Sequence, residues 1–174
     1  MASTYQEAKI TGFDTYFPIS SGATASQYRE IYEQHRHAVY SLAFWMTDNE
    51  LAAEELMHEV FARAFALEAD PDAEAIDRAL IAALKEQMLI GPLTLDCQAS
   101  DRVESVRRNT MRIHLERAVV QLPATERLIF LMHDVEGYGH TRIASLLGLS
   151  DRESQEGLHQ ARLRMRELLA AMVS

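Results

Sequence analysis

The chain has 174 residues, 48% of them hydrophobic and 7% aromatic, which suits one globular domain or two small ones. A net charge of −9 argues against nonspecific nucleic-acid binding by the whole molecule, and a single cysteine, Cys97, excludes an internal disulfide and fits a reducing compartment. With no apolar run near the ~20 residues of a membrane span and no signal-peptide pattern in MASTYQEAKITGFDTYFPIS, a cytoplasmic protein without a membrane partner is expected.

Charge is unevenly spread. Residues 1–100 hold six basic against sixteen acidic side chains, while residues 101–174 hold eleven arginines against ten acids. The two halves therefore face different partners or different fields. Abundant Ala, Leu, Glu and Arg favour helix throughout, so an all-α fold is expected.

Residues 1–25 lack periodicity and read as a flexible tail. From Gln27, apolar residues at three-and-four spacing (Tyr28, Ile31, Tyr32, His35, Val39, Leu42, Ala43, Met46) predict a first helix. Thr47-Asp48-Asn49-Glu50 has the pattern of a capping box opening a second, with Leu51, Leu56, Val60, Phe61, Ala64 and Phe65 inward. Asp70-Pro71 restarts the chain for a third helix through Ile76, Leu80, Ala83, Leu84 and Met88. These form a three-helix module over 26–88. Gly91-Pro92 and the aperiodic LTLDCQAS mark residues 89–100 as a linker.

A second module, 101–174, begins with a helix from about Asp101 to Leu122, halted at Pro123. Another runs from Thr125 to Glu136-Gly137. Then GYGHTRIASLLGLSDRE places three of the chain's seven glycines within twelve residues. Gly137–His140 predicts a turn, Thr141–Leu147 a short helix, Gly148 a bend, and Ser150-Asp151-Arg152-Glu153 a capping box for a helix reaching Met172. Crossed helices sharing Ile143, Leu146, Leu147, Leu149, Leu158 and Phe130 would make a helix-turn-helix; a plain helical hairpin shares the pattern.

Other constellations carry less. Glu55-Leu-Met-His58 and Glu156-Gly-Leu-His159 match half of a di-iron bundle motif each, but they fall in different modules. His35 and His37 point to different helix faces. Cys97 beside Asp96 has a raised rather than a nucleophilic thiol pKa. No phosphate loop, dinucleotide fingerprint or nucleophile elbow occurs, so neither catalytic residues, metal ligands nor cofactors are expected, and the chain does not read as an enzyme.

The segment LPATERLIFLMHDVEGYGHTRIASLLGLSDRESQEGLHQARLRMRELL resembles region four of the extracytoplasmic-function (ECF) sigma factors of bacterial RNA polymerase. The features are Leu122-Pro123, Arg127, Phe130-Leu131, Asp134 to Gly137, Ile143-Ala144, Leu147-Gly148 and Ser150, continued by Leu158-His159, Ala161-Arg162 and Arg164 to Leu169. The first half is similar to region two of that family at Tyr32, Val39-Tyr40, Leu42-Ala43, Thr47, Ala53-Glu54, Leu56, Glu59 to Phe61 and Arg63-Ala64.

The resemblance implies a subunit that carries core RNA polymerase to promoter DNA and is held in check by an anti-sigma factor. It implies an acidic polymerase-docking face at Glu54, Glu55, His58 and Glu59. It also implies DNA contacts from Thr141, Arg142, Arg152, Glu153, Gln155, Glu156, His159 and Arg162. Three departures stand out. The start of the reading helix carries carboxylates and Gly157, Gln160 replaces an arginine, and the promoter-melting stretch Ala79–Gln87 has neither the aromatics nor the positive charge that gripping single strands requires. An alternative is therefore a sigma-like decoy or adaptor that binds an anti-sigma factor or polymerase without opening promoters.

Overall fold

The computed structural model describes residues 25–68, 70–98 and 111–173. These form α1 (Ala25–Thr47), α2 (Glu50–Leu67), α3 (Ala73–Gln87), α4 (Arg112–Val120), α5 (Ala124–Phe130), a π turn (Leu131–Val135), α6 (His140–Leu147) and α7 (Asp151–Val173). The described residues contain no strand.

Aromatic pairs fasten α1 to α2. The rings of Tyr28 and Phe65 lie 4.2 Å apart and those of Tyr32 and Phe61 4.8 Å apart. Leu56 and Phe61 are fully buried, each stabilising the fold by about 1.5–3 kcal/mol over its exposed state. Leu51, expected inward, is 66% exposed. It shares its helical stripe with Glu54 and Glu55, three and four residues on, and both face solvent.

Two helix starts differ from expectation. Asp48 has a φ of 52°, which turns the Thr47 hydroxyl back onto the Ala43 carbonyl (2.9 Å), so Asn49 caps α2 by accepting from the Ala52 N–H. Likewise α3 starts after Asp72, whose carboxylate accepts from the Ala75 N–H at 2.7 Å, leaving Pro71 outside the first turn. Met111 is extended (φ −85°, ψ 157°) and α4 follows it from Arg112, while the expected helix start at Asp101 falls within residues 99–110, which lie outside the described set, as do 1–24.

The glycine-rich stretch behaves as its spacing implied. After α5, the backbone widens into the π turn, where the Glu136 N–H reaches the Leu131 carbonyl at 3.0 Å. Gly137 and Gly148 both have φ of 76°, a conformation that side chains with a Cβ resist. They bracket α6 and set it across α7. The predicted capping box of α7 is present: the Glu153 carboxylate accepts from the Ser150 N–H at 2.8 Å, and the Glu153 N–H donates to Ser150 Oγ at 3.2 Å.

The stretch between the two halves is docked, not free. The Gly91 N–H donates to Thr125 Oγ1 at 2.9 Å, and the Leu95 N–H to the fully buried Glu126 carboxylate at 2.8 Å. The Cys97 N–H donates to Gln160 Oε1 at 2.6 Å. This strap explains two of the departures noted above. Gln160 holds linker backbone, and a Cβ at Gly157 would stand 2.6 Å from Ile129 Cδ1 and 2.8 Å from Leu93 Cδ2.

One buried cluster runs through both halves, from Tyr28 to Leu169. Arg127 on α5 bridges them. Its guanidinium donates to the Met46 carbonyl at the end of α1 (3.1 Å), to Leu122 (2.9 Å) and to Val120. A planar fork of five donors suits several carbonyls at once, which an ammonium does not. Arg127→Met should lower unfolding free energy by about 2–3 kcal/mol in denaturant titration, and Arg127→Lys should recover less than half of that loss.

Candidate nucleic-acid interface

The capped end of α7 stands at the surface. Arg152, Glu153, Gln155, Glu156, His159 and Arg162 are exposed, while Ser154, Leu158 and Ala161 on the opposite side are buried against α5 and α6. Five of the eight residues with implied DNA roles are engaged within the protein. Thr141 Oγ1 donates to Asp151 at 2.8 Å, and the Arg162 guanidinium grips both oxygens of Asp134 (2.6 and 3.0 Å). Glu153 closes the capping box, and Glu156 accepts from Gln160 Nε2 at 2.9 Å. Arg142 is paired with Asp77 of α3. Arg152, Gln155 and His159 are the members of that set that no side chain among the described residues holds.

Two of these contacts shift titrations. Hydrogen bonds from Ser150 hold the Glu153 carboxyl below its ordinary value, so its charge is directed at the partial positive end of α7. The Arg162 guanidinium, followed by His133, does the same for Asp134. An arginine held in this way presents less free charge to a phosphate than its sequence position suggests.

On α2, Glu54 and Glu55 are exposed, whereas His58 and Glu59 are half-buried. Glu59 is bound by Arg63, which also reaches Glu86. The acidic face therefore consists chiefly of Glu54 and Glu55. The exposed side of α3 shows Glu74, Arg78, Ala82, Lys85 and Glu86, with Arg78 tied to Glu74 at 2.7 Å. No aromatic side chain stands on it.

Sequence reasoning missed Asp77. It is 8% exposed, accepts from the Tyr138 hydroxyl at 2.9 Å and pairs with Arg142, whose guanidinium carbon lies 4.7 Å from the Tyr138 ring centre. Burial and the Asp77 charge push the Tyr138 phenol well above its usual range. The one available signal was a carboxylate four residues before Ile81, on an apolar side of AEAIDRALIAAL.

Near the start of α6, the rings of His133 and His140 stack at 4.6 Å, and His140 Nδ1 lies 3.0 Å from the buried Ser154 Oγ. Among the described residues no three metal-capable side chains lie together. Burial chiefly, then the Glu167 charge, raises the Cys97 thiol pKa. No helix among the described residues is long and apolar enough to cross a membrane.

This architecture, a three-helix unit carrying a helix-turn-helix unit on a docked strap, defines an all-α protein of the transcription-factor class. Residues 31–75 match the family model for sigma-70 region 2, and residues 108–165 match that for sigma-70 region 4. The chain belongs to the sigma-70 family, in the two-region layout of its ECF members. It is similar in fold to the sigma factor RpoE from Bartonella quintana, solved in complex with the anti-sigma factor NepR. The TM-score is 0.64 at 14% identity, over 84% of this chain and 98% of that one.

The His140 environment gives a pH signature. Burial first, and then the neighbouring His133, lower its pKa below 6.5, so the unfolded chain takes up a proton before the folded one does. The stability it contributes is full above the unfolded value and is lost as pH falls from there through the lower folded value. Between about pH 7.5 and 5.5 the melting temperature should fall less for His140→Gln than for the native chain. Parallel slopes in differential scanning fluorimetry would remove His140 from that account.

Proposed function

We propose that the chain acts as an ECF-type sigma factor in the cytoplasm, carrying core RNA polymerase to promoters, and that residues 26–88 and 101–174 are its two working modules. The observation that supports this best is the outward turn of α7, with Arg152, Gln155 and His159 exposed beside a buried Ser154 and Leu158. An exposed helix start bearing one arginine, one amide and one imidazole suits base edges and phosphates in a major groove. Glu54 and Glu55 offer the matching anionic face for a cationic polymerase surface. Thr141, Arg142, Glu156 and Arg162 belong to the same interface once their internal partners are exchanged for phosphate. Glu153 contributes by fixing the helix end. An anti-sigma factor, such as the one bound to RpoE in the similar structure, is the natural class of regulator.

A decoy or adaptor is the second reading, and it rests on α3. The exposed side of that helix pairs an arginine with a glutamate and carries no aromatic, so it lacks the stacking platform that grips unpaired bases. The sigma factor and a polymerase-binding decoy both predict polymerase binding that Glu54→Lys/Glu55→Lys reduces about tenfold or more at low salt, whereas an adaptor that binds only an anti-sigma factor predicts none. The first two part at transcription. Run-off product from promoters enriched out of a genomic fragment pool supports the sigma factor, whereas polymerase binding without product supports the decoy. In the first case Arg152→Ala should weaken duplex binding by about 1–3 kcal/mol, read by fluorescence anisotropy.

A further inference from the structure

The end of α2 and the first half of α3 leave between them a groove of about 520 Å³. Ala64, Ala66 and Leu67 line it from α2, and Ala75, Ala79 and Ala82 from α3, together with Arg63, Glu68 and Arg78. The α3 residues follow one helical stripe, and Leu67 is 82% exposed. A cavity on the order of 150 Å³ holds a benzene ring, so the groove has room for two or three large apolar side chains.

The chain itself supplies them. Residues 1–24, outside the described set, join α1 at Ala25. Tyr28, in the first turn of α1, packs on Phe65, the neighbour of Ala64 in the groove wall. The chain before α1 therefore starts beside the groove. Residue 19 is six positions from Ala25, a reach of up to ~20 Å, against a helix diameter of about 10 Å. The window FDTYFPI, residues 13–19, holds Phe13, Tyr16, Phe17 and Ile19, with Asp14 its only charge. Pro18 disfavours helix at Phe17, and in an extended chain Phe13, Phe17 and Ile19 share one side.

We propose that residues 13–19 lie extended in this groove, with Phe13, Phe17 and Ile19 against the alanine stripe and Asp14 directed to Arg78. The Arg78 side chain is 53% exposed and holds Glu74 at 2.7 Å but Glu68 only at 3.6 Å, so Asp14 replaces the looser partner. Apolar burial supplies the affinity, since exposed ion pairs contribute little. A tethered segment has an effective concentration of about millimolar at its site, an advantage that a separate protein of the same chemistry lacks. The contact concerns the three-helix unit alone and stands whichever reading of its function holds.

Photo-crosslinking in the full chain tests this. With Phe17 replaced by p-benzoylphenylalanine, irradiation should join it within the same chain to peptides carrying residues 63–68 or 75–82, mapped by mass spectrometry. Ala66→Glu/Ala82→Glu places carboxylates in the groove from two exposed positions and should cut that yield about tenfold, with circular dichroism verifying native helix content. Without any label, Phe13→Ser/Phe17→Ser should lower the melting temperature by about 2–6 °C. The same double substitution should leave it unchanged once Ala66→Glu/Ala82→Glu is present. Adducts confined to other parts of the chain overturn the proposal, and adducts between two chains overturn it in favour of a second copy as the occupant. Groove adducts that survive the carboxylates undiminished, or an unchanged melting temperature for Phe13→Ser/Phe17→Ser alone, overturn it as well.

Discussion

Everything in the molecule hangs on two adjacent residues of α5, Glu126 and Arg127, which project in different directions with opposite charge. Glu126, fully buried, collects linker backbone N–H groups. Arg127 collects carbonyls at the ends of α1 and α4. Burial lowers the Arg127 pKa, the mark of a cation taken partly out of water and compensated by hydrogen bonds instead of a counter-ion. Helix ends and linkers carry backbone groups without internal partners, and a small all-α protein must satisfy them or leave them wet. Here one helical turn satisfies those of three separate segments. That turn fixes where α6 and α7 sit relative to α1–α3, and so decides which side chains of the reading unit face outward.

The same packing makes α3 a helix with two covered sides. Ile76, Leu80 and Leu84 are buried in the three-helix unit, while Asp77 and Ile81 lie toward α6. A promoter-melting helix in the family's usual form carries aromatics and cations for single strands. In the corresponding stretch α3 carries buried alanines (Ala75, Ala79 and Ala83) and a carboxylate paired with an arginine of the other half.

Local features were legible in the sequence, and long-range ones were not. The Ser150–Glu153 box, the left-handed turns at Gly137 and Gly148, and the apolar stripes of α1 and α2 each follow from residues within one or two turns of each other. The Thr47 cap failed because Asp48 reversed the chain locally, an outcome that Thr-Asp-Asn-Glu does not distinguish from a capping box. Leu51 failed because one apolar residue in a first turn has no stripe to join. The roles of Asp77, Glu126 and Gln160 were not legible because their partners lie 31 to 65 residues away. In sequence, Gly157 looked like a flaw in the reading helix, and Gln160 a lost arginine. The docked linker supplies the reason for both, since small size and a neutral acceptor are what Leu93 and the Cys97 N–H require.

The carboxylates at the start of α7 take on a different meaning in this setting. Glu153 is committed to the helix end and Glu156 to Gln160, so neither opposes a phosphate as freely as its position in the sequence suggests. On the proposed function, outward recognition rests first on Arg152, Gln155 and His159, a set too small to hold a duplex tightly without help. Three side chains at about 1–3 kcal/mol each barely offset the entropy lost on association. Tethering changes that arithmetic. A reader held on polymerase meets promoter DNA at a high effective concentration, so weak contacts suffice for selection and their weakness allows release. On the proposed function, a modest reading surface and a separate acidic grip therefore form one consistent design, in which affinity resides in the assembly and this chain supplies the choice of site.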